Sequence, residues 1–118
     1  MKLLIVDDSD VVRKLIQKFT REMEIEIVGE ANDGEVALQI VREKRPDVVT
    51  MDITMPNMDG LTCLSRIMEI DEEIHVMVIS AIKHKDVALD ALERGARGFL
   101  LKPFTEESLQ DAIRKMMS

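Results

Sequence analysis

The sequence predicts an α/β fold, a doubly wound five-stranded parallel sheet with five helices. Three observations carry this. Five short apolar runs alternate with stretches whose apolar residues recur at helical spacing, the pattern of parallel strands covered by helices on both faces. Four of those runs end on polar residues: Asp7 and Asp8, Asp52, Ser80 and Lys102. The length, 118 residues, suits one domain and is too short for two.

The elements follow in order. Leu3 to Val6 is a compact buried strand ending on Asp7-Asp8-Ser9. Val12, Leu15, Ile16, Phe19 and Met23 then recur at helical spacing, with Arg13, Lys14, Gln17 and Lys18 between them, and Ser9 or Asp10 can cap that helix. Ile25 and Ile27 alternate with Glu24 and Glu26 before Val28-Gly29, as in an edge strand with one wet face. Asn32-Asp33-Gly34 is a turn and cap. The helix after it carries Val36, Ala37, Ile40 and Val41 on one side and ends before Pro46, which disfavours helix in the residue ahead of it.

The third strand, Asp47 to Met51, is apolar and β-branched from Val48 onward, as expected of a strand buried on both faces. It meets Asp52 and then breaks at Pro56 and Asn57-Met58-Asp59-Gly60. A helix with Leu61, Leu64, Ile67 and Met68 follows, then a strand from Ile74 to Ile79. Val87, Ala88, Ala91 and Leu92 mark a fourth helix that Gly95 can end in the left-handed conformation. Gly98 to Leu101 is the fifth strand. Thr105 caps the last helix, which carries Leu109, Ala112, Ile113, Met116 and Met117, with Glu106 and Glu107 at its positive end and Arg114 and Lys115 at its negative end.

Composition excludes several classes. With 46% apolar and 33% charged residues the chain is globular rather than disordered. A net charge of −7 with no basic stripe argues against a nucleic-acid surface. No apolar run approaches the roughly 20 residues of a membrane span, and the run at the start is too short for a signal peptide. The single Cys63 cannot form an internal disulfide and fits a reducing compartment, so a cytoplasmic location is expected. His75 and His84 have no second ligand at metal spacing, which argues against zinc. Cys63 reads as a small apolar helix residue, and most of the nine Met residues fall at core positions.

In a parallel sheet all the carboxyl ends of strands lie on one edge, where open α/β folds place their chemistry. Asp7, Asp8, Asp52, Ser80 and Lys102 can therefore meet although they are far apart in sequence. Alone, each reads as a helix cap, a strand end or a surface charge; together they ask for a common reason. Three carboxylates about 4 Å apart repel by roughly 1 kcal/mol per pair in water and about 4 at an effective dielectric near 20. One lysine cannot neutralise three of them, so the cluster calls for a divalent cation. Oxygen ligands of this kind suit Mg²⁺, which takes one or two carboxylates, several waters and a phosphate.

Leu4-Ile5-Val6-Asp7-Asp8-Ser9, Met51-Asp52-Ile53-Thr54-Met55-Pro56 with Asp59-Gly60, Ser80-Ala81, and Phe99-Leu100-Leu101-Lys102-Pro103-Phe104 resemble the receiver domain of bacterial response regulators. The resemblance covers the whole chain with the motifs in family order, and is strongest to the stand-alone chemotaxis type. It implies a flavodoxin-like strand order of 2-1-3-4-5, with the first and fifth helices on one face. It further implies one receiver domain over residues 1–118 with no output domain, and no enzyme in the usual sense. Asp52 would accept a phosphoryl group from a phosphohistidine on a histidine kinase. Asp8, Asp52 and the Thr54 carbonyl would hold Mg²⁺ directly, with Asp7 acting largely through water. Lys102 would pair with the phosphoryl group, Ser80 would donate its hydroxyl to it, and the Lys102-Pro103 peptide would be cis. Phe99 matches the aromatic switch position, where many chemotaxis members have Tyr.

The resemblance also implies an output. Drawing Ser80 inward would shift the loop after the fourth strand and make room for Phe99. That would change the face built from the fourth helix, fifth strand and fifth helix. Exposed candidates there are Lys83, His84, Lys85, Asp90, Glu93, Arg94, Arg97, Gln110 and Arg114. Expected partners are the kinase, a flagellar motor switch or other downstream protein, and a phosphatase, with no nucleic acid and no membrane. Thr54 and Ile82, each two residues past a site residue, would set the lifetime of the acyl phosphate. A phosphorelay intermediate that passes the group to another histidine would use the same site. A flavodoxin-like cofactor binder is disfavoured, because no Gly-rich phosphate loop follows the first strand and no Trp or Tyr is present to stack on a flavin. A pseudo-receiver is disfavoured by the complete residue set.

Overall fold

The computed structural model describes residues 1–118, and the predicted alternation is present throughout. The elements are β1 (Lys2–Val6), α1 (Asp10–Thr20), β2 (Glu26–Ala31), α2 (Gly34–Lys44), β3 (Val48–Asp52), α3 (Gly60–Ile70), β4 (His75–Ser80), α4 (Lys85–Glu93), β5 (Gly98–Leu101) and α5 (Glu106–Met117). All neighbouring strands pair in parallel in the order β2-β1-β3-β4-β5, so β3 is central and flanked by β1 and β4.

Side chains alternate across the sheet and divide the interior in two. Leu4, Val6, Val49, Met51, Val76 and Val78 point into a core of 18 buried residues, completed by Leu38, Leu64, Ile67, Ala91 and others from α2, α3 and α4. Leu3, Ile5, Val48, Met77 and Ile79 face the other way, into a core of 8 with Ile16 of α1 and Leu109 and Ile113 of α5. Burial of each such Leu or Ile contributes about 2 kcal/mol relative to exposure. Phe19 and Phe104 close the smaller core edge to face, their centroids 6.1 Å apart.

Ser9, Asp33 and Thr105 cap their helices as predicted, each accepting a backbone N–H from the first turn, and Thr105 and Ser108 form a reciprocal capping pair. Asp59, read from the sequence only as part of a turn, caps α3 in the same way. Gly95, at φ +111°, turns the chain out of α4 as expected.

Several expectations need correction. Met23 lies beyond α1, which ends at Thr20; the Thr20 hydroxyl donates back to the Ile16 carbonyl at 2.8 Å, and Met23 packs on the smaller core from the following turn. β2 does not stop at Val28-Gly29 but runs on to Ala31, because its pairing with β1 continues to Val6. Val36 stands at the surface, since the Asp33 cap sets α2 so that Ala37, Leu38 and Val41 face inward. His75 is the first residue of β4, and its Nε2 accepts from Arg97 at 2.8 Å.

Candidate functional site

The sheet register sets the site. Asp52, the last residue of β3, sits opposite Ile79, and Ser80 sits opposite Leu101, so Asp52, Ser80 and Lys102 step across adjacent strands at the same edge. Lys102 extends the β5 ladder by one bond, its N–H donating to the Ser80 carbonyl at 2.9 Å. On the other side Asp7 follows β1, and its N–H donates to the Ala31 carbonyl at 3.0 Å. Carboxylate oxygens of Asp7, Asp8 and Asp52 all lie within 4.8 Å of one another.

Lys102 binds two of the three carboxylates. Its Nζ donates to Asp7 Oδ2 at 2.9 Å and to Asp52 Oδ1 at 3.2 Å. The other Asp7 oxygen, Oδ1, accepts from the Ser9 N–H at 2.9 Å. Asp7 and Asp52 are buried, whereas Asp8 is exposed and forms no side-chain hydrogen bond or ion pair. Burial, joined by the negative charge of Asp7, pushes the Asp52 carboxyl up to about 6 against the opposing pull of Lys102. Burial would lower the Lys102 ammonium, but the hydrogen bond to Asp7 and the charge of Asp52 outweigh it and hold the group above its ordinary value. Asp52 is thus mostly ionised at neutral pH, and Lys102 is charged.

Around this centre, the Ser80 hydroxyl is buried and accepts the Ile82 N–H at 2.9 Å, without bonding either carboxylate. The β3–α3 loop leaves Asp52 through buried Ile53 and exposed Thr54, whose carbonyl accepts no hydrogen bond from the protein. Asn57 takes the left-handed conformation at φ 69°. Gly60 then brings the start of α3 under the strand end, donating its N–H to the Ile53 carbonyl at 2.7 Å; a Cβ there would meet the Asp52 carbonyl oxygen at 2.1 Å. The Lys102-Pro103 peptide is cis.

Of the residues predicted for the site, Asp7, Asp8, Asp52 and Lys102 come together directly; Ser80 ends the neighbouring strand β4 without bonding them, and Thr54 lies in the loop two residues past Asp52. Phe99 is half-buried in β5, packed against the larger core. Three residues expected on the output face are used elsewhere. Arg94 donates to the Leu61 carbonyl and Ser65 on α3, Arg97 to His75 and the Glu72 carbonyl, and Gln110 to the Phe19 carbonyl of α1. Arg13 carries no site signal in the sequence, yet its guanidinium bonds the Asp7 carbonyl at 2.6 Å. Cys63 is buried in α3, and burial raises its thiol to about 12, in keeping with an inert apolar role.

The oxygen-rich donor set fits a hard divalent cation. Three carboxylate oxygens converge, and the one ammonium of Lys102 leaves them with net negative charge. Among known proteins, the family model of the response regulator receiver domain matches residues 3–114. The chain belongs to the response regulator receiver family. This receiver is 40% identical over 115 residues to the chemotaxis protein CheY of Listeria monocytogenes, covering 98% of this chain and 97% of that one. It is 38% identical over 117 residues to CheY of Bacillus subtilis, covering 99% and 98%. The crystal structure of the CheX–CheY–BeF3–Mg²⁺ complex from Borrelia burgdorferi contains a chain that superposes with a TM-score of 0.97 at 36% identity, covering all of this receiver and 90% of that chain. The receiver also matches part of larger proteins, being 46% identical over 111 residues to 31% of a protein-glutamate methylesterase from Syntrophomonas wolfei. No helix of the receiver is long and apolar enough to cross a membrane.

Proposed function

We propose that this receiver is a phosphorylation-switched signalling protein of the chemotaxis type, taking a phosphoryl group on Asp52 from a histidine kinase. The observation that carries this is the convergence of the Asp7, Asp8 and Asp52 carboxylates within 4.8 Å of one another, with Lys102 Nζ 3.2 Å from Asp52. An Asp52 oxygen forms the new bond to phosphorus as the P–N bond to the donor's histidine breaks, its electron pair leaving on the imidazole nitrogen. Asp52 is suited to attack because it is ionised at neutral pH and its Oδ1 already faces a cation.

Asp8, Asp52 and the Thr54 carbonyl would hold Mg²⁺, with Asp7 contributing through water because both its oxygens are already engaged. The bound cation supplies charge neutralisation that lets a dianionic group approach three carboxylates. Lys102 then exchanges its bond to Asp52 for one to the phosphoryl oxygens. The modification leaves about −1.5 to −2 charges where Asp52 carried one, which strengthens that partnership. Ser80 can donate its hydroxyl proton to the new oxygens, because its oxygen is used only as an acceptor for Ile82.

The downstream surface is the face of α4, β5 and α5. A groove there is lined by Ile82, Lys83, His84, Lys85, Phe99 and Leu101, and Leu89, Leu92 and Leu101 are exposed. Basic and apolar groups side by side suit a partner with acidic and apolar side chains, such as a flagellar motor component. The likeness to a chain of the CheX–CheY complex supports a second protein partner of the CheX kind. The decisive experiment incubates the chain with acetyl phosphate and follows intact mass, since there is no Trp or Tyr to report by fluorescence. A Mg²⁺-dependent gain of one phosphoryl group, absent in Asp52→Asn, supports the reading; no gain in the wild type refutes it.

A further inference from the structure

Arg13, in the first turns of α1, reaches back across the site edge and binds three segments at once. Its Nη1 donates to the Asp7 main-chain carbonyl at 2.6 Å and its Nε to Glu30 of β2 at 3.1 Å, while Nη2 pairs with Asp10 at the start of α1. The side chain is only 13% exposed. Such a planar fork is something arginine can make and lysine cannot.

The contact with Asp7 is the informative one. Both backbone polar atoms of Asp7 are fixed, the N–H by Ala31 of β2 and the carbonyl by Arg13. That carbonyl shares a rigid peptide plane with the N–H of Asp8, so holding it fixes the rotation of the plane from which Asp8 projects. Asp7 and Asp52 each have Lys102 to hold their side chains, but the Asp8 side chain is exposed and bonds nothing in the protein. Its position is set by the backbone alone.

We infer that Arg13 is a positioning residue for the cation site: by clamping the Asp7–Asp8 peptide it aims the Asp8 carboxylate at Asp52. The inference rests on the Mg²⁺ site proposed above. A simple electrostatic view predicts the opposite outcome. Arg13 is a cation beside a cation site, so its removal should strengthen Mg²⁺ binding by leaving Glu30 and Asp10 unneutralised. Positioning predicts weaker binding, because the loss of an outer partner that orients a ligand costs about tenfold or more in affinity.

The test is isothermal titration of Mg²⁺ alone into wild type, Arg13→Gln, Arg13→Lys and Glu30→Gln, with thermal melts of each. Positioning predicts about a tenfold rise in the Mg²⁺ dissociation constant for Arg13→Gln. Arg13→Lys should show a similar rise despite its retained charge, and Glu30→Gln a smaller one. At saturating Mg²⁺ the rate of modification by acetyl phosphate should return towards wild type. Unchanged or tighter binding in Arg13→Gln, or wild-type affinity in Arg13→Lys, overturns the inference. If Arg13→Gln does not fold, the Arg13→Lys titration decides alone. A wild type that binds no Mg²⁺ refutes the site itself rather than the role of Arg13.

Discussion

Lys102 lies closer to Asp7 than to Asp52, its ammonium 2.9 Å from the one and 3.2 Å from the other. In this state the lysine is held by Asp7 at least as firmly as by Asp52, the residue proposed to accept the phosphoryl group. Asp7 therefore raises the Asp52 carboxyl by its own charge and also shares the cation that would lower it.

Replacing Asp7 by Asn removes the repulsion and releases Lys102 to Asp52. The Asp52 carboxyl should then titrate below its present value of about 6. Carbon-13 NMR of the Asp52 carboxyl in metal-free protein measures this. A carboxyl that stays in place or moves up would show that burial alone sets it.

The raised Asp52 value makes metal-free stability depend on pH, with a definite sign. The folded state holds this proton up to about 6 and the unfolded chain only up to 3.8, so between those values the folded state binds more protons. Stability from this group is full below about 4 and declines as pH rises towards 6, by at most about 3 kcal/mol. Asp52→Asn should abolish that decline and be more stable than wild type at pH 7. Urea unfolding from pH 4 to 7 in a chelator tests it, and parallel curves for the two proteins would contradict it.

Ile82 is half-buried beside Ser80, bonded to its hydroxyl through the backbone and packed against the larger core. On the proposed function its bulk is expected to hinder the approach of water to a phosphorylated Asp52. Ile82→Glu should shorten the lifetime of the phosphorylated form several-fold, by placing a polar group where water must attack. Decay of radiolabelled protein after removal of the donor gives the answer, and equal half-lives rule the role out.

Gly60 leaves no space for a methyl group, because a Cβ would sit 2.1 Å from the Asp52 carbonyl oxygen and 2.7 Å from the Ile53 Cα. Both obstacles are backbone and cannot swing aside. Gly60→Ala should lose about 3 kcal/mol or more of stability and displace the Asp52 end of β3. A drop of under about 1 kcal/mol in denaturant unfolding would mean that α3 can slide without cost.

The Thr50 hydroxyl is buried in the central strand without a hydrogen-bond partner. Thr50→Val keeps the shape and removes the unsatisfied group, so it should raise stability by about 1 kcal/mol. A lower melting temperature would indicate that a buried water satisfies the hydroxyl.

Most of the scaffold was legible because its signals are local. Leu3 to Val6 and Val48 to Met51 are apolar runs ended by acids, and Ser9, Asp33 and Thr105 cap the helices that follow. The convergence of Asp7, Asp8, Asp52 and Lys102 was legible from topology, since a parallel sheet gathers its carboxyl ends. What was not legible depends on where long side chains turn after folding. Arg94, Arg97 and Gln110 sit on surface helices or a loop and read as free polar residues, but each can reach a carbonyl of another element. Arg13 was hidden for the same reason, as a polar residue between apolar positions whose partners are set by β2 and the β1–α1 turn. Val36 misled because helical spacing alone does not say which edge of an apolar stripe meets the sheet.

The central sheet acts as a wall between the 18-residue and the 8-residue interiors. Side chains on opposite sides share backbone but no common void, so defects made on both sides should sum rather than cooperate. Leu64→Ala and Ile113→Ala combined would thus weaken the molecule by the total of their separate effects, and helices on one side can repack while those on the other keep their places.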